Sequence, residues 1–182
     1  MIRAIGVLES SSISKGIEAA DEMLKSGAVK LLESKPVCPG KHITIIYGDV
    51  GSVEASMAVG SEILSSFFVD EILIPNVHQD VVRAVAGIPN PGEFKAIGVL
   101  EFFSITGAIY AADAAVKSAD VNIVDMRLGI AIGGKSFVTI TGHVSAIETA
   151  VAAGKEEGIK HGLLFSQTVI PSPHKDLLKK LV

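Results

Sequence analysis

Apolar and polar positions along this chain trace one pattern, and then trace it again. A short apolar run at residues 3–9 predicts a strand. Ser10, Ser11 and Ser12 follow with capping hydroxyls, ahead of a helix in which Ile13, Ile17, Ala20 and Leu24 recur at the spacing of one apolar face. Residues 29–33 and 42–47 are β-rich and read as two strands on either side of a loop. Asp49, with Glu54 soon after, suits the start of a second helix, where negative charge meets the positive end of the dipole. Residues 68–75 predict a fourth strand and residues 79–86 a short closing helix. The run Gly87-Ile88-Pro89-Asn90-Pro91-Gly92 can continue neither element and reads as a linker. The same order then returns, with Ile105, Ile109, Ala112 and Val116 repeating the first helical face.

The repeat is literal in places. Ala4-Ile5-Gly6-Val7-Leu8-Glu9 recurs as Ala96-Ile97-Gly98-Val99-Leu100-Glu101, Ala19-Ala20-Asp21 as Ala111-Ala112-Asp113, and Gly40-Lys41 as Gly134-Lys135. Near the ends Ile74-Pro75, His78 and Asp80 answer Ile170-Pro171, His174 and Asp176. A duplicated domain follows, 1–87 and 93–182 joined by 88–92. The order β-α-β-β-α-β in each copy predicts an α+β chain of two tandem ferredoxin-like domains, a plan that by itself fixes no function. The second copy carries two extra residues between Arg127 and Gly134 and two more near 157–162, and insertions of that size belong in loops. The first of them separates Pro36-Val37-Cys38-Pro39 from its counterpart Leu128-Gly129-Ile130-Ala131-Ile132-Gly133.

Composition narrows the class. A net charge of -4 without basic runs excludes a nucleic-acid partner. No uninterrupted apolar stretch approaches about 18 residues, so no membrane span is expected. The chain enters its first repeat at once, which leaves no room for a secretory signal, and its one cysteine can form no internal disulfide. Both point to a reducing cytoplasm. The 48% apolar content and mean hydropathy of +0.48 are high for a monomer of this size and suit extensive subunit contact.

Catalytic patterns are missing from this reading. No Ser-His-Asp set, phosphate loop or zinc pair is spaced for chemistry, and a non-enzyme is expected. His78 and His174 occupy matched positions, which favours a structural or edge role; His42, His143 and His161 have no match. Cys38 stands apart. It lies between two prolines, with Lys35 and Lys41 near it, and nearby cations favour the thiolate that binds metal.

Several strings go beyond the fold. The doubled Ala-Ile-Gly-Val-Leu-Glu opening, Ala-Ala-Asp followed by Lys25 or Lys117, Gly48-Asp49-Val50-Gly51, and Ile-Pro followed by His78 or His174 resemble the bacterial microcompartment shell proteins. The resemblance is to the tandem-domain, trimer-forming type. The run Ser34 to Lys41 is similar to the cysteine-bearing pore loop of the T-type shell proteins of propanediol-utilisation organelles. The resemblance implies a homotrimer that forms a six-lobed, pseudohexameric disc, tiles with other shell proteins, and encloses an organelle in the cytoplasm. It implies pore loops at Pro36, Val37, Cys38, Pro39 and Gly40, and at Leu128, Gly129, Ile130, Ala131, Ile132, Gly133 and Gly134. It places Lys25, Lys117, His78 and His174 at the disc edge. The family often has arginine where this chain has Asn76 and Ser172, so that residue's edge contacts do not carry over.

Within a trimer, one thiolate per chain becomes three on the axis, and thiolate sulfur is the usual ligand of iron–sulfur clusters, which ordinarily take four. The resemblance likewise implies a [4Fe-4S] cluster, one per trimer, held through Cys38 on the threefold axis. Such a centre passes electrons across the shell, to a lumenal or cytosolic redox partner, or serves as a redox-gated plug. The rival expectation is an open pore that conducts small metabolites past a free Cys38 thiol.

Overall fold

The structure, a computed structural model, describes residues 4–160 and 164–181. His161 and the extreme residues of both expected domains lie outside that range. The elements run β1 (Ala4–Ser10), α1 (Ile13–Ser26), β2 (Lys30–Val37), β3 (Lys41–Gly48), α2 (Val50–Leu64), a 3-10 turn (Ser65–Phe67), β4 (Phe68–Pro75) and α3 (Gln79–Val85). The second set is β5 (Ala96–Phe102), α4 (Ile105–Ser118), β6 (Val121–Leu128), β7 (Ser136–Gly142), α5 (Val144–Lys160), β8 (Leu164–Ile170) and α6 (Lys175–Leu178). Each sheet is antiparallel, ordered β2-β3-β1-β4 and β6-β7-β5-β8. That is the ferredoxin-like order expected from the sequence, formed twice.

Local signals explain the boundaries. The Ser12 and Ser104 hydroxyls accept the N–H groups of Lys15 and Gly107 and open α1 and α4. Asp49 opens α2 by accepting both the N–H and the hydroxyl of Ser52, and these donors hold its carboxyl below the usual range. Central strand β1 is buried along all seven residues, which is why it reads as a continuous apolar run rather than an alternation. Around it, Ala4, Leu8, Ala19, Met23, Ile46, Val53, Met57 and Leu64 make the first core.

Three expectations change. In α1 the core side is Gly16, Ala19, Ala20 and Met23, while Ile13, Ile17 and Leu24 are exposed. In α4 the matching Ile105, Ile109 and Val116 are buried, together with the inner side. The reason is α3, which packs against α4 and β6. The chain accordingly divides into compact units 4–77 and 78–181 among the described residues, so the helix assigned from sequence to the end of copy one belongs physically with copy two. The second insertion also lengthens a packed element: α5 has 17 residues where α2 has 15.

Helix–sheet and helix–helix approach is close at matched glycines. A Cβ on Gly154 would sit 2.6 Å from Leu100 Cδ1 and 3.0 Å from the Ala111 carbonyl oxygen across the α4–α5 contact. A Cβ on the matching Gly60 would meet Met23 and Leu8 at 2.6 and 2.7 Å. Core volume is otherwise exchanged between copies. Phe102 in unit 2 stands where unit 1 has Ser10, and Gly158, whose Cβ would strike Phe102 at 2.3 Å, stands where unit 1 has Leu64. One large and one small residue serve each layer, with the order reversed.

Gly154→Ala therefore sets a helix-propensity gain of about 1 kcal/mol against overpacking of about 1–3 kcal/mol. Because a backbone carbonyl is among the atoms struck, overpacking wins and the melting temperature falls. Thermal denaturation checks this, and a rise in melting temperature would show that the helices have room to separate.

Candidate functional site

Strands β2 and β3 are joined by a tight turn at Val37-Cys38-Pro39-Gly40. The Gly40 N–H donates to the Val37 carbonyl at 3.0 Å, the Cys38–Pro39 peptide is cis, and Gly40 has φ +84. This is the turn class that takes a cis proline at its third position, with glycine after it. Val37 points inward at 4% exposure, Pro36, Pro39 and Gly40 are exposed, and Cys38 is half-buried with a free thiol. The cysteine is thus held on a turn rather than sunk in the core.

The lysines flanking it are committed elsewhere. Lys35 Nζ lies 2.7 Å from Glu33, and Lys41 Nζ lies 2.5 Å from Glu9, a carboxylate that is 2% exposed. The expectation that both cations act on the Cys38 sulfur is weakened, because each is already neutralised by a carboxylate. Beneath the turn, the buried His42 pairs across the hairpin with Pro36, and its Nε2 is 3.3 Å from Ser34 Oγ. Its Nδ1 has no hydrogen-bond partner among the described residues, and Gly16 of α1 lies directly against the ring.

The matching hairpin of unit 2 is longer and differently built. Gly129, Ala131, Gly133 and Gly134 all have positive φ, and the loop is tied by the Gly129 N–H to the Lys135 carbonyl and the Lys135 N–H to the Ile132 carbonyl. Leu128, Gly129 and Gly134 are buried, whereas Ile130, Ala131 and Gly133 are exposed. Beside this loop lies a cavity of about 560 Å³ lined by Val99, Glu101, Ile132, Lys135, Phe137, Thr139 and Leu181. Within it Lys135 is ion-paired to Glu101 and sits 4.4 Å above the Phe165 ring, which in turn meets Phe103 edge-on.

The other expected site residues take definite places. Lys25 and Lys117 end α1 and α4, and each is paired with the aspartate one turn earlier, Asp21 and Asp113. Hydrogen bonds to Asp21 and then Glu22 hold the Lys25 ammonium above its usual pKa. His78 and His174 are helix N-caps: their Nδ1 atoms accept the N–H of Asp80 and Asp176, at 3.3 and 3.2 Å. Among the described residues of one chain, no three His, Cys, Asp or Glu side chains gather to hold a metal ion. Among the described residues, no helix is long and apolar enough to cross a membrane. Sequence reasoning missed the Glu9–Lys41 pair and the buried Asp113 as an acceptor for the His78 N–H at 2.8 Å, since both depend on register between distant segments.

Residues 4–77 and 96–173 each match the BMC domain. Over its full length the chain is 40% identical to the bacterial microcompartment shell protein PduT of Citrobacter freundii, covering 99% of that protein. The chain belongs to the BMC-domain family of bacterial microcompartment shell proteins. Half of this shell protein (48%) also aligns at 39% identity with PduA of Citrobacter freundii, covering 91% of it, as expected where one chain holds two copies of a single-domain unit. A microcompartment protein of Desulfitobacterium hafniense has the same fold, with a TM-score of 0.93 and 47% identity over 99% of each chain. The fused, permuted hexameric shell protein of the RMM microcompartment shares the fold alone, with a TM-score of 0.64 at 20% identity over 87% of this chain and 82% of that one.

The buried ring of His42 generates a pH prediction. Burial lowers its pKa from the ordinary 6.5. As pH falls through 6.5 the unfolded chain takes up a proton that the folded shell protein refuses, so stability is complete above that value and declines below it until the depressed folded pKa is reached. His42→Gln removes this term. Denaturant unfolding at pH 7 and pH 5 should show a smaller drop for the variant, and equal drops would place the titration elsewhere.

Proposed function

We propose that this shell protein is a homotrimeric facet subunit in which three Cys38 thiolates hold one [4Fe-4S] cluster on the threefold axis. The observation that carries the reading is the placement of the chain's only thiol. Cysteine is most often a small buried hydrophobe; here it is half-buried on a stiff hairpin turn that its own prolines and glycine define. A soft sulfur donor suits iron, and three sulfurs leave one iron of the cluster for a small ligand from outside the protein. When bound, such a centre supplies one-electron transfer. The chain's own contribution is to hold the three sulfurs. The longer loop of unit 2, with the exposed Ile130 and the half-buried Ile132, offers apolar walls and no ligand. The working location is the shell of a microcompartment in the cytoplasm, among other shell proteins, with a lumenal or cytosolic redox partner.

Purified without air, the protein should be brown and contain about four irons and four sulfides per three chains, the ratio that one cluster per threefold axis requires. Cys38→Ala should lose all of the iron and the signal of the reduced cluster, yet keep the trimer mass by light scattering. Cys38→Ser should bind weakly or not at all, because a hydroxyl is a harder and less acidic ligand. A colourless wild-type trimer would favour the open metabolite pore, and one cluster per chain would refute the axial site.

Lys25→Ala and Lys117→Ala should leave the trimer intact while disordering sheets seen by electron microscopy. Sheets of unchanged order in both variants would remove these lysines from the disc edge.

A further inference from the structure

A second cavity, of about 350 Å³, lies at the end of the unit 2 sheet remote from the glycine-rich hairpin, where β5 starts and β7 ends. Phe94, Pro171 and Pro173 wall it, and the polar side chains that line it are Lys95, His143 and Ser172. Lys95 is placed by the buried Thr141, whose hydroxyl accepts the Lys95 N–H at 3.1 Å and donates to the Ala96 carbonyl at 3.0 Å. From there Lys95 Nζ reaches His143 Nε2 at 3.1 Å, and an ammonium that donates one proton to the ring keeps two others for a ligand. Among the described residues no carboxylate lines the cavity. Glu93 comes within 3.7 Å of Lys95 Nζ, but its side chain is 82% exposed and stands outside.

The same corner is built differently in the first copy. There Asp49 precedes α2 and its carboxylate accepts the N–H and the hydroxyl of Ser52, so the helix start carries its own anion. In unit 2 the matching residues are His143 and Ala146, which supply no carboxylate and no hydroxyl. Helix α5 makes its first internal bond from the Ile147 N–H to the His143 carbonyl, which leaves the N–H groups of Val144, Ser145 and Ala146 without helical acceptors. Two basic side chains at the positive end of a 17-residue helix are an unfavourable arrangement by themselves. An anion between them makes it favourable.

We propose that this cavity is a binding site for a phosphate monoester with a small apolar body. The phosphate takes the place that the Asp49 carboxylate holds in the first copy, with Lys95, His143 and the start of α5 as donors. The volume exceeds what a bare oxyanion fills, and Phe94, Pro171 and Pro173 give the ester's carbon body apolar contact. The site is separate from Cys38 and does not depend on what that thiol holds.

The experiment titrates the full chain with phenyl phosphate, inorganic phosphate and acetate, read by calorimetry and by the melting temperature. Phenyl phosphate should bind one per chain, more tightly than inorganic phosphate, with acetate weakest, and should raise the melting temperature. Lys95→Gln and His143→Asp should each weaken phenyl phosphate at least tenfold, while Cys38→Ala should bind as wild type does. His143→Asp also restores the first copy's cap, so without ligand its melting temperature should equal or exceed that of wild type and should no longer respond to phenyl phosphate. No saturable binding, or equal affinity in wild type and both site variants, overturns the site. Acetate as tight as phenyl phosphate overturns the phosphate assignment, and inorganic phosphate as tight as phenyl phosphate overturns the ester.

Discussion

A four-stranded sheet with two helices on one face has more apolar surface than it can cover by itself, and this constraint shapes the chain. In unit 2 the outer side of α4 and the edge of the sheet at β6 are buried only because α3, spelled in the first copy, lies against them. Small domains bury a modest share of their surface, so one seven-residue helix with four buried residues matters. Each such side chain moved out of water contributes on the order of 1–3 kcal/mol. The duplication is thus more than two domains on one string, since the first copy supplies part of the second unit's cover.

Inside each unit the limiting condition is close approach. Gly60 and Gly154 sit where the second helix meets both the sheet and the first helix with no space for a methyl group. The Ser10/Leu64 and Phe102/Gly158 exchange shows that the two units fill the same architecture by different distributions of volume. Interiors packed to crystal-like density allow such exchanges only in pairs. Divergence between the copies is consequently easiest at the hairpins, where no core volume has to be conserved.

The element order, both caps at Ser12 and Ser104, the Asp49 helix start and the loop holding Cys38 were legible in the sequence, because each is encoded within a few residues. The exposure of Ile17 against the burial of Ile109 was not. Their helices carry the same apolar spacing, and what separates them is a covering helix far along the chain. The Glu33–Lys35 pair could have been read from the alternation of a strand, which puts both side chains on one face. The Glu9–Lys41 pair required the β1–β3 register, and with it the knowledge that Lys41 is not a free cation beside the thiol. The capping role of His78 and His174 was hidden for another reason: histidine is an uncommon N-cap, and only the geometry reveals Nδ1 as the acceptor.

The two hairpins show why a duplicated chain suits the proposed function. A single-domain protein that repeats six times around an axis must place the same loop six times. Six cysteines around one axis would exceed the four ligands a cluster takes. A tandem chain breaks that equality, for one loop can keep a thiol on a tight four-residue turn while the other grows into a glycine-rich, apolar loop without ligands. In the proposed trimer the number of sulfurs would be three, which would leave one iron of the cluster for an exchangeable ligand. Under the proposed trimer, halving the symmetry would bring the thiols at the axis down to a number a cluster can use, and the cysteine in one loop and its absence from the other would be the two halves of that arrangement.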